Sequence, residues 1–345
     1  MNKARKMTIF LILVIVLGVS LLLIRGALNS FHPASTMDLE ISGPTGARVS
    51  PEDQITFLSW NIGFAGMSAE MDFIPDGGRH FRASSAEQVA LNTRSILERI
   101  HTVNAPVLFL QELSRSSFLT RGIDVLDIFQ KGLTRYQSAF TPTTNTGLLP
   151  IVGRLEIGKA TWSTLEMTGG VRLALPTESD FPTVTIQHFN ILETRLPVEG
   201  ADWEWVLFNI HLAAFDDGPL RREQLTRVVA LMAEEFAAGN RVVAGGDWNL
   251  LLADTEFPYS TDEKNRFWVR ELPGEVVPAG WQWGVDPSTP TCRTLEQPYR
   301  PGVNYTCIID GFLVSPNVEI LSTETVNLEF ANSDHHPVVM AVRSR

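Results

Sequence analysis

Positive charge is what this chain is short of. Its 345 residues carry 28 Lys and Arg against 39 Asp and Glu, a net charge of −11. Residues 1–25 contain Lys3, Arg5, Lys6 and Arg25 and no acid, so the remainder sets 24 basic residues against 39 acidic ones, a balance of −15. A surface of that sign does not draw in polyanions over long range, which disfavours nucleic acid as the main partner. Cysteine is scarcer still, with Cys292 and Cys307 alone. No internal repeat or low-complexity tract is present. What remains, 44% hydrophobic and 19% charged residues, suits a globular chain with a sizeable core, in one large domain or two ordinary ones.

Against that background one stretch stands out. Met7 to Ile24 runs for 18 residues without a charge and is rich in Leu, Ile and Val. Crossing a bilayer takes about 20 apolar residues, with roughly 17 as the lower limit. A signal-peptide core is shorter, roughly 7–15 residues, and ends at a small-residue cleavage site; here Arg25 follows instead. Residues 1–25 are therefore expected to be an uncleaved membrane anchor, with a removed signal sequence and secretion as the alternative. Lys3, Arg5 and Lys6 on one flank against Arg25 on the other put the N-terminus in the cytoplasm and the rest of this single-pass chain outside the cell membrane. An oxidising compartment favours a Cys292–Cys307 disulfide, worth about 3 kcal/mol in the chain-entropy model for a loop of this size. Residues 26–54 lack periodicity and read as a linker, and residues 55–345 as the folded domain.

Within that domain short apolar strands alternate with helical patterns. Residues 55–60, 107–110, 206–212, 242–244, 308–314 and 338–342 read as strands, and 86–100 and 220–236 as helices. The pattern predicts an α/β sandwich of two sheets with helices on the outer faces. Arg241-Val-Val-Ala-Gly-Gly-Asp-Trp-Asn-Leu250 is the most informative stretch. Its glycine pair allows a tight turn and a close approach, and Asp247 and Asn249, two apart on an extended segment, point to one side. Other strand ends carry similar residues: Trp60-Asn61, Gln111-Glu112, Asn209-Ile-His211, Asp310 and Ser333-Asp-His-His336. One such residue has a structural explanation; six sites mixing Asp, Glu, Asn and His do not look like surface chemistry, because a carboxylate in an apolar run is costly to bury without a partner.

Taken in order, Ser59-Trp60-Asn61, Leu110-Gln-Glu112, Asn209-Ile-His211, Gly246-Asp-Trp-Asn249, Ile309-Asp310 and Ser333-Asp-His335 resemble the endonuclease/exonuclease/phosphatase superfamily, whose members include DNase I-like and sphingomyelinase-like enzymes. The resemblance implies a four-layer α/β sandwich and a metal-dependent attack of water on a phosphate ester. It implies that Glu112 is the main ligand of a divalent metal, helped by Asn61, with Asp334 near the metal or its water shell. Mg²⁺ suits such hard oxygen donors, with Mn²⁺ or Ca²⁺ as alternatives. Asp247 would orient or deprotonate the water and Asn249 would hold the water or a phosphate oxygen. His211 and His335 would contact non-bridging oxygens, and Asp310 would orient His335 through its second ring nitrogen. Two departures matter: Gly63 stands where some relatives carry an acid, and His336 beside His335 makes the choice of histidine depend on the motif register.

The sequence therefore points to a phosphoesterase held on the outer face of a membrane, acting on a phosphate ester. The anchor and the negative charge tilt toward a lipid phosphodiester, with an extracellular nuclease or nucleotide phosphatase as the alternative. A catalytically silent binding domain would predict decay of the acids and histidines, yet every motif position is filled. Oligomeric state has no signature in the chain.

Overall fold

The strands that end on the unusual polar residues lie side by side. In the computed structural model, which describes residues 3–28, 31–147, 153–178, 186–216 and 218–345, two mixed sheets pack face to face. Helix α1 (Lys3–Leu28) precedes strands β1 (Thr36–Leu39) and β2 (Gln54–Asn61), then α2 (Ala86–Val103), β3 (Val107–Ser114) and α3 (Val125–Gly132). Strands β4 (Gln137–Thr146), β5 (Leu155–Ser163), β6 (Thr168–Ala174), β7 (Asn190–Pro197) and β8 (Glu204–His211) follow, then α4 (Pro219–Ala237) and β9 (Arg241–Asp247). The chain closes with β10 (Gln282–Gly284), β11 (Cys292–Arg293), β12 (Thr306–Cys307), β13 (Asp310–Val314), β14 (Val318–Thr325) and β15 (Val338–Ser344).

One sheet has seven strands in the order β1-β6-β7-β8-β9-β13-β10, and the other six in the order β14-β15-β2-β3-β5-β4. Each contains one parallel pair. β2 runs with β3, Asn61 opposite Gln111, and β8 runs with β9, His211 opposite Asp247. Parallel neighbours end on the same side, so both sheets deliver their polar strand ends to one edge of the sandwich.

Three apolar layers hold this arrangement. Phe57, Phe109, Leu207, Val243, Phe312 and Met340 fill the space between the sheets. Val89, Ile96 and Ile100 of α2 and Phe129 of α3 cover the outer face of the six-stranded sheet. Leu225, Val228 and Met232 of α4 cover the other outer face. The result is the expected four-layer α/β sandwich. Ser85 caps α2 by accepting from the Gln88 N–H at 3.1 Å, and Asn104 stops it in the left-handed region.

Three expectations change. The segment read as a linker is partly structural: β1 pairs with β6, and Ser42, Ala47 and Val49 bridge to Ser138, Leu165 and Val198. The linker is thereby shortened to the residues before Thr36, of which 29 and 30 lie outside the described residues. Asp310 opens its strand instead of lying inside it, because the carbonyls of Ile308 and Ile309 accept from Leu252 and Trp248. Cys292 and Cys307 are both free, buried thiols, so the expected disulfide is not formed. They do face each other as β11–β12 partners, but Cys292 Sγ sits 3.5 Å from His335 Nε2 and 3.6 Å from the Arg293 carbonyl. α1 is long and apolar enough to cross a membrane, and none of its Arg5–Leu22 span is buried against the domain.

Lys159 is buried on β5 with only neutral partners, the main-chain and side-chain oxygens of Asn190. Burial, with Arg172 nearby, pushes its ammonium down to about 7. A base whose folded pKa is depressed loses stability as pH falls from its unfolded value toward the folded one, at roughly 1.4 kcal/mol per pH unit. Lys159→Met should therefore raise the melting temperature, and raise it more at pH 7 than at pH 10. A melting series across that range checks it, and an equal or opposite shift at pH 10 would contradict it.

Candidate active site

Glu112 reaches the edge through a backbone irregularity. The β3–β5 register shifts between Leu110 and Leu113, and Glu112 takes a φ of +57°, a conformation that bulky residues adopt at a cost and that clusters at functional sites. Asn249 is held the same way at φ +51°, with its N–H donating to Asp247 Oδ1 at 2.9 Å and its side-chain amide to the Leu212 carbonyl at 3.0 Å. Just before, Gly246 allows β9 to pass β8 closely: a Cβ there would lie 2.0 Å from the Ile210 carbonyl oxygen.

Asn61 ties the sheets together. Its side-chain amide donates to Glu112 Oε1 and to Asp247 Oδ2, both at 3.1 Å, while its Oδ1 accepts from the Gly63 N–H at 3.1 Å. Below it, Gln111 Nε2 donates across the sandwich to Asn209 Oδ1 at 2.8 Å. His211 Nε2 approaches Asp247 Oδ2 at 3.6 Å and Glu112 Oε1 at 3.8 Å. His335 pairs through Nδ1 with Asp310 Oδ2 at 2.8 Å, and its Nε2 faces Asp247 Oδ2 at 3.8 Å. The Asp310 and Ile309 N–H groups both donate to Thr291 Oγ1 at 3.0 Å.

These side chains surround a cavity of about 110 Å³ whose lining includes Glu112, His211, Asp247, Asn249, Asp334 and His335. Asn61 and Asp310 stand immediately behind it, fully buried. Every residue singled out for chemistry from the sequence thus converges on one edge. Gly63 explains its own departure: with φ +48°, a Cβ there would lie 2.6 Å from Asp334 Oδ1, so Asp334 occupies the room a side chain at 63 would need. His336 points elsewhere. It stacks on Phe330 at 3.9 Å, its Nδ1 meets the Pro290 carbonyl at 2.8 Å and its Nε2 accepts from the Phe330 N–H. Burial pushes it down to about 4, and it is neutral.

Electrostatics separate the two remaining histidines. Burial pushes His211 down to about 3, reinforced by Lys159 and His335. Burial also lowers His335, but the carboxylates of Asp310 and Asp247 prevail and raise it well above the usual imidazole value. Desolvation and the neighbouring Asp334 push Glu112 up to about 7, and burial with Asp310 does the same for Asp247. Asp76, in the connection between β2 and α2, also lines the cavity and is raised to about 7 by burial, Asp334 and Glu296. Nothing in the sequence marks Asp76, because Pro75-Asp76-Gly77-Gly78 is ordinary turn chemistry.

The donors fit a hard divalent cation. Carboxylates crowd the cavity, and the one guanidinium in its lining, Arg293, donates to the carbonyls of Ser68 and Met71 instead. Asp310 Oδ1 is buried without a partner. The donor atoms of Asp247, Asp310 and His335 lie within 4.8 Å of one another. However, Asp310 Oδ2 is already engaged by His335, and a protonated imidazole repels a cation. Glu112 and Asp334, which line the same cavity, could hold a cation without that obstacle.

Comparison with known proteins places this geometry in context. The sequence model described as Endonuclease/Exonuclease/phosphatase family matches residues 58–335. Among solved structures, an endonuclease/exonuclease/phosphatase from Beutenbergia cavernae DSM 12333 is 21% identical, with 84% of this chain and 72% of that one covered at a TM-score of 0.55. The human Nocturnin catalytic domain with bound sulfate anion is 15% identical, with 89% and 98% covered and a TM-score of 0.53. TDP2 from D. rerio, complexed with single strand DNA product, is 16% identical, with 85% and 100% covered and a TM-score of 0.51. No curated protein matches the chain.

Proposed function

The chain belongs to the endonuclease/exonuclease/phosphatase family and is a metal-dependent hydrolase of phosphate ester bonds; we propose that it is anchored by α1, works on the extracytoplasmic face of the cell membrane with Mg²⁺, and cleaves a lipid phosphodiester. The observation that carries the chemistry is the placing of Asp247. Its carboxylate is buried, held by Asn61 from the opposite sheet, and faces His211 and His335 at 3.6 and 3.8 Å.

A divalent ion held here would supply positive charge against the phosphate oxygens. Glu112 and Asp334 would hold it, with Asn61 beside Glu112. Asp247 orients the attacking water and takes its proton at Oδ2, while Asn249 holds the water or a phosphate oxygen. His335, charged and fixed by Asp310, donates from Nε2 to a non-bridging oxygen, and neutral His211 donates a ring N–H to another. No covalent intermediate is needed. The lipid reading is supported by the unburied apolar span and by the −15 balance of residues 26–345. A nuclease or nucleotide phosphatase at the same address is the second reading, favoured by the shared fold of DNA-bound TDP2.

Intact cells making the full chain should hydrolyse a membrane-impermeant phosphodiester supplied outside. The activity should vanish with external EDTA, return with Mg²⁺, and stay with the membrane pellet through alkaline carbonate. Activity that survives EDTA would remove the mechanism; activity seen only after permeabilisation would remove the address.

A further inference from the structure

The apolar wall beside the reaction cavity takes no part in the chemistry above. A second cavity of about 330 Å³ opens beside the first and shares Phe64, Phe73, Glu112, His211 and Phe215 with it. Beyond that shared wall Leu119, Leu155, Ile157 and Phe189 line it, with the uncharged polar residues Thr143, Thr144 and Gln187 beside them. Leu155 and Ile157 project from the same face of β5, two residues apart. The described lining contains no lysine or arginine. A track for single-stranded nucleic acid joins aromatic platforms to a cationic groove that follows the phosphates. Here the aromatics are present and, among the described lining residues, cations are missing, in a domain whose net charge is already negative. A largely apolar trough that opens onto the reacting centre, with no cation among those residues to neutralise a second phosphate, matches a hydrocarbon.

We propose that this groove is the subsite for a hydrocarbon arm of the substrate. The cleaved phosphate ester carries an alkyl or acyl chain that leaves the reaction cavity past Phe73 and Phe215 and lies over Leu155 and Ile157. This rests on the phosphoesterase reading of the site and adds what else the substrate must be. Phe215 is 56% exposed and stacks on Phe267, itself 45% exposed, with ring centroids 5.9 Å apart. Phe215 lines both cavities and forms an apolar lip between them, with Phe267 packed behind it.

The test uses the full chain in a fixed concentration of a short-tailed detergent, with Mg²⁺ and a series of alkyl p-nitrophenyl phosphate diesters from methyl to dodecyl. kcat/KM should climb by roughly two- to fourfold per methylene until the groove is filled, carried by a falling KM. Ile157→Glu on β5 and Leu119→Glu in the β3–α3 connection should each lower the octyl-to-methyl ratio of kcat/KM by at least ~10-fold, with thermal melting as the check on folding. Calorimetric binding of methyl-, butyl- and octylphosphonate should follow the same order. A flat series with brisk methyl ester hydrolysis would overturn the groove and leave the phosphoesterase standing. So would a steep series that both variants leave unchanged, or a nucleoside p-nitrophenyl phosphate diester preferred over the octyl one. With no ester hydrolysed, the catalytic reading fails, and phosphonate binding alone decides the groove: equal affinity along the series sinks it.

Discussion

Asp247→Asn should cut turnover of a phosphodiester by at least ~10²-fold while shifting the melting temperature by only a few degrees. Asparagine keeps the size of the side chain and the oxygen that accepts from the Asn249 N–H. It removes the negative charge, and with it the acceptor for a proton from water. The fold tolerates the exchange because it also withdraws a buried charge that crowds Asp310, whose effect on Asp247 is to raise its carboxyl. The carboxylate-to-amide change does set an N–H₂ against the amide of Asn61, a mismatch worth about 1–3 kcal/mol that rotation of Asn61 can relieve. Steady-state kinetics beside a melting curve separates the two effects. Near-normal turnover by the variant would mean that some other group activates the water.

The adjacent histidines should behave as opposites. His335→Ala should lower turnover by at least ~10²-fold per folded molecule, since it removes the donor that Asp310 holds toward the phosphate and leaves a buried carboxylate without its partner. His336→Ala should leave turnover within about tenfold but destabilise the domain by about 2–4 kcal/mol, through the lost stack on Phe330 and the unpaired Phe330 N–H. Denaturant titration and kcat measured on the same preparations give both readings. If His336→Ala is the variant that kills activity in a stable protein, the assignment of the motif is displaced by one residue.

How much of this was legible beforehand depends on range. The polar strand ends were legible because each lies next to its own apolar run, and two β-branched strands ending in Asn61 and Asp247 signal themselves locally. α2 was legible from the spacing of Val89, Ile96 and Ile100, with its end misplaced by one turn. β1 was not: four residues that pair with β6 carry no local pattern, and only a partner distant in sequence makes them a strand. The cysteines were correctly placed side by side and wrongly joined, because pairing was inferred from the compartment while Cys292 turns toward His335. The groove was invisible, since Leu119, Ile157 and Phe189 come from distant stretches of the chain and none has a neighbour that marks it.

The hydrogen bonds from Asn61 to Asp247, Gln111 to Asn209 and His335 to Asp310 have a consequence for how such a molecule can change. Reactivity belongs to the seam between two slabs, so sliding one slab by a fraction of a strand spacing would dismantle the catalyst even with both slabs intact. Selection on what is cleaved is therefore pushed outward, to the loops and the free ends of β4 and β5, where side chains can be exchanged without touching the joint.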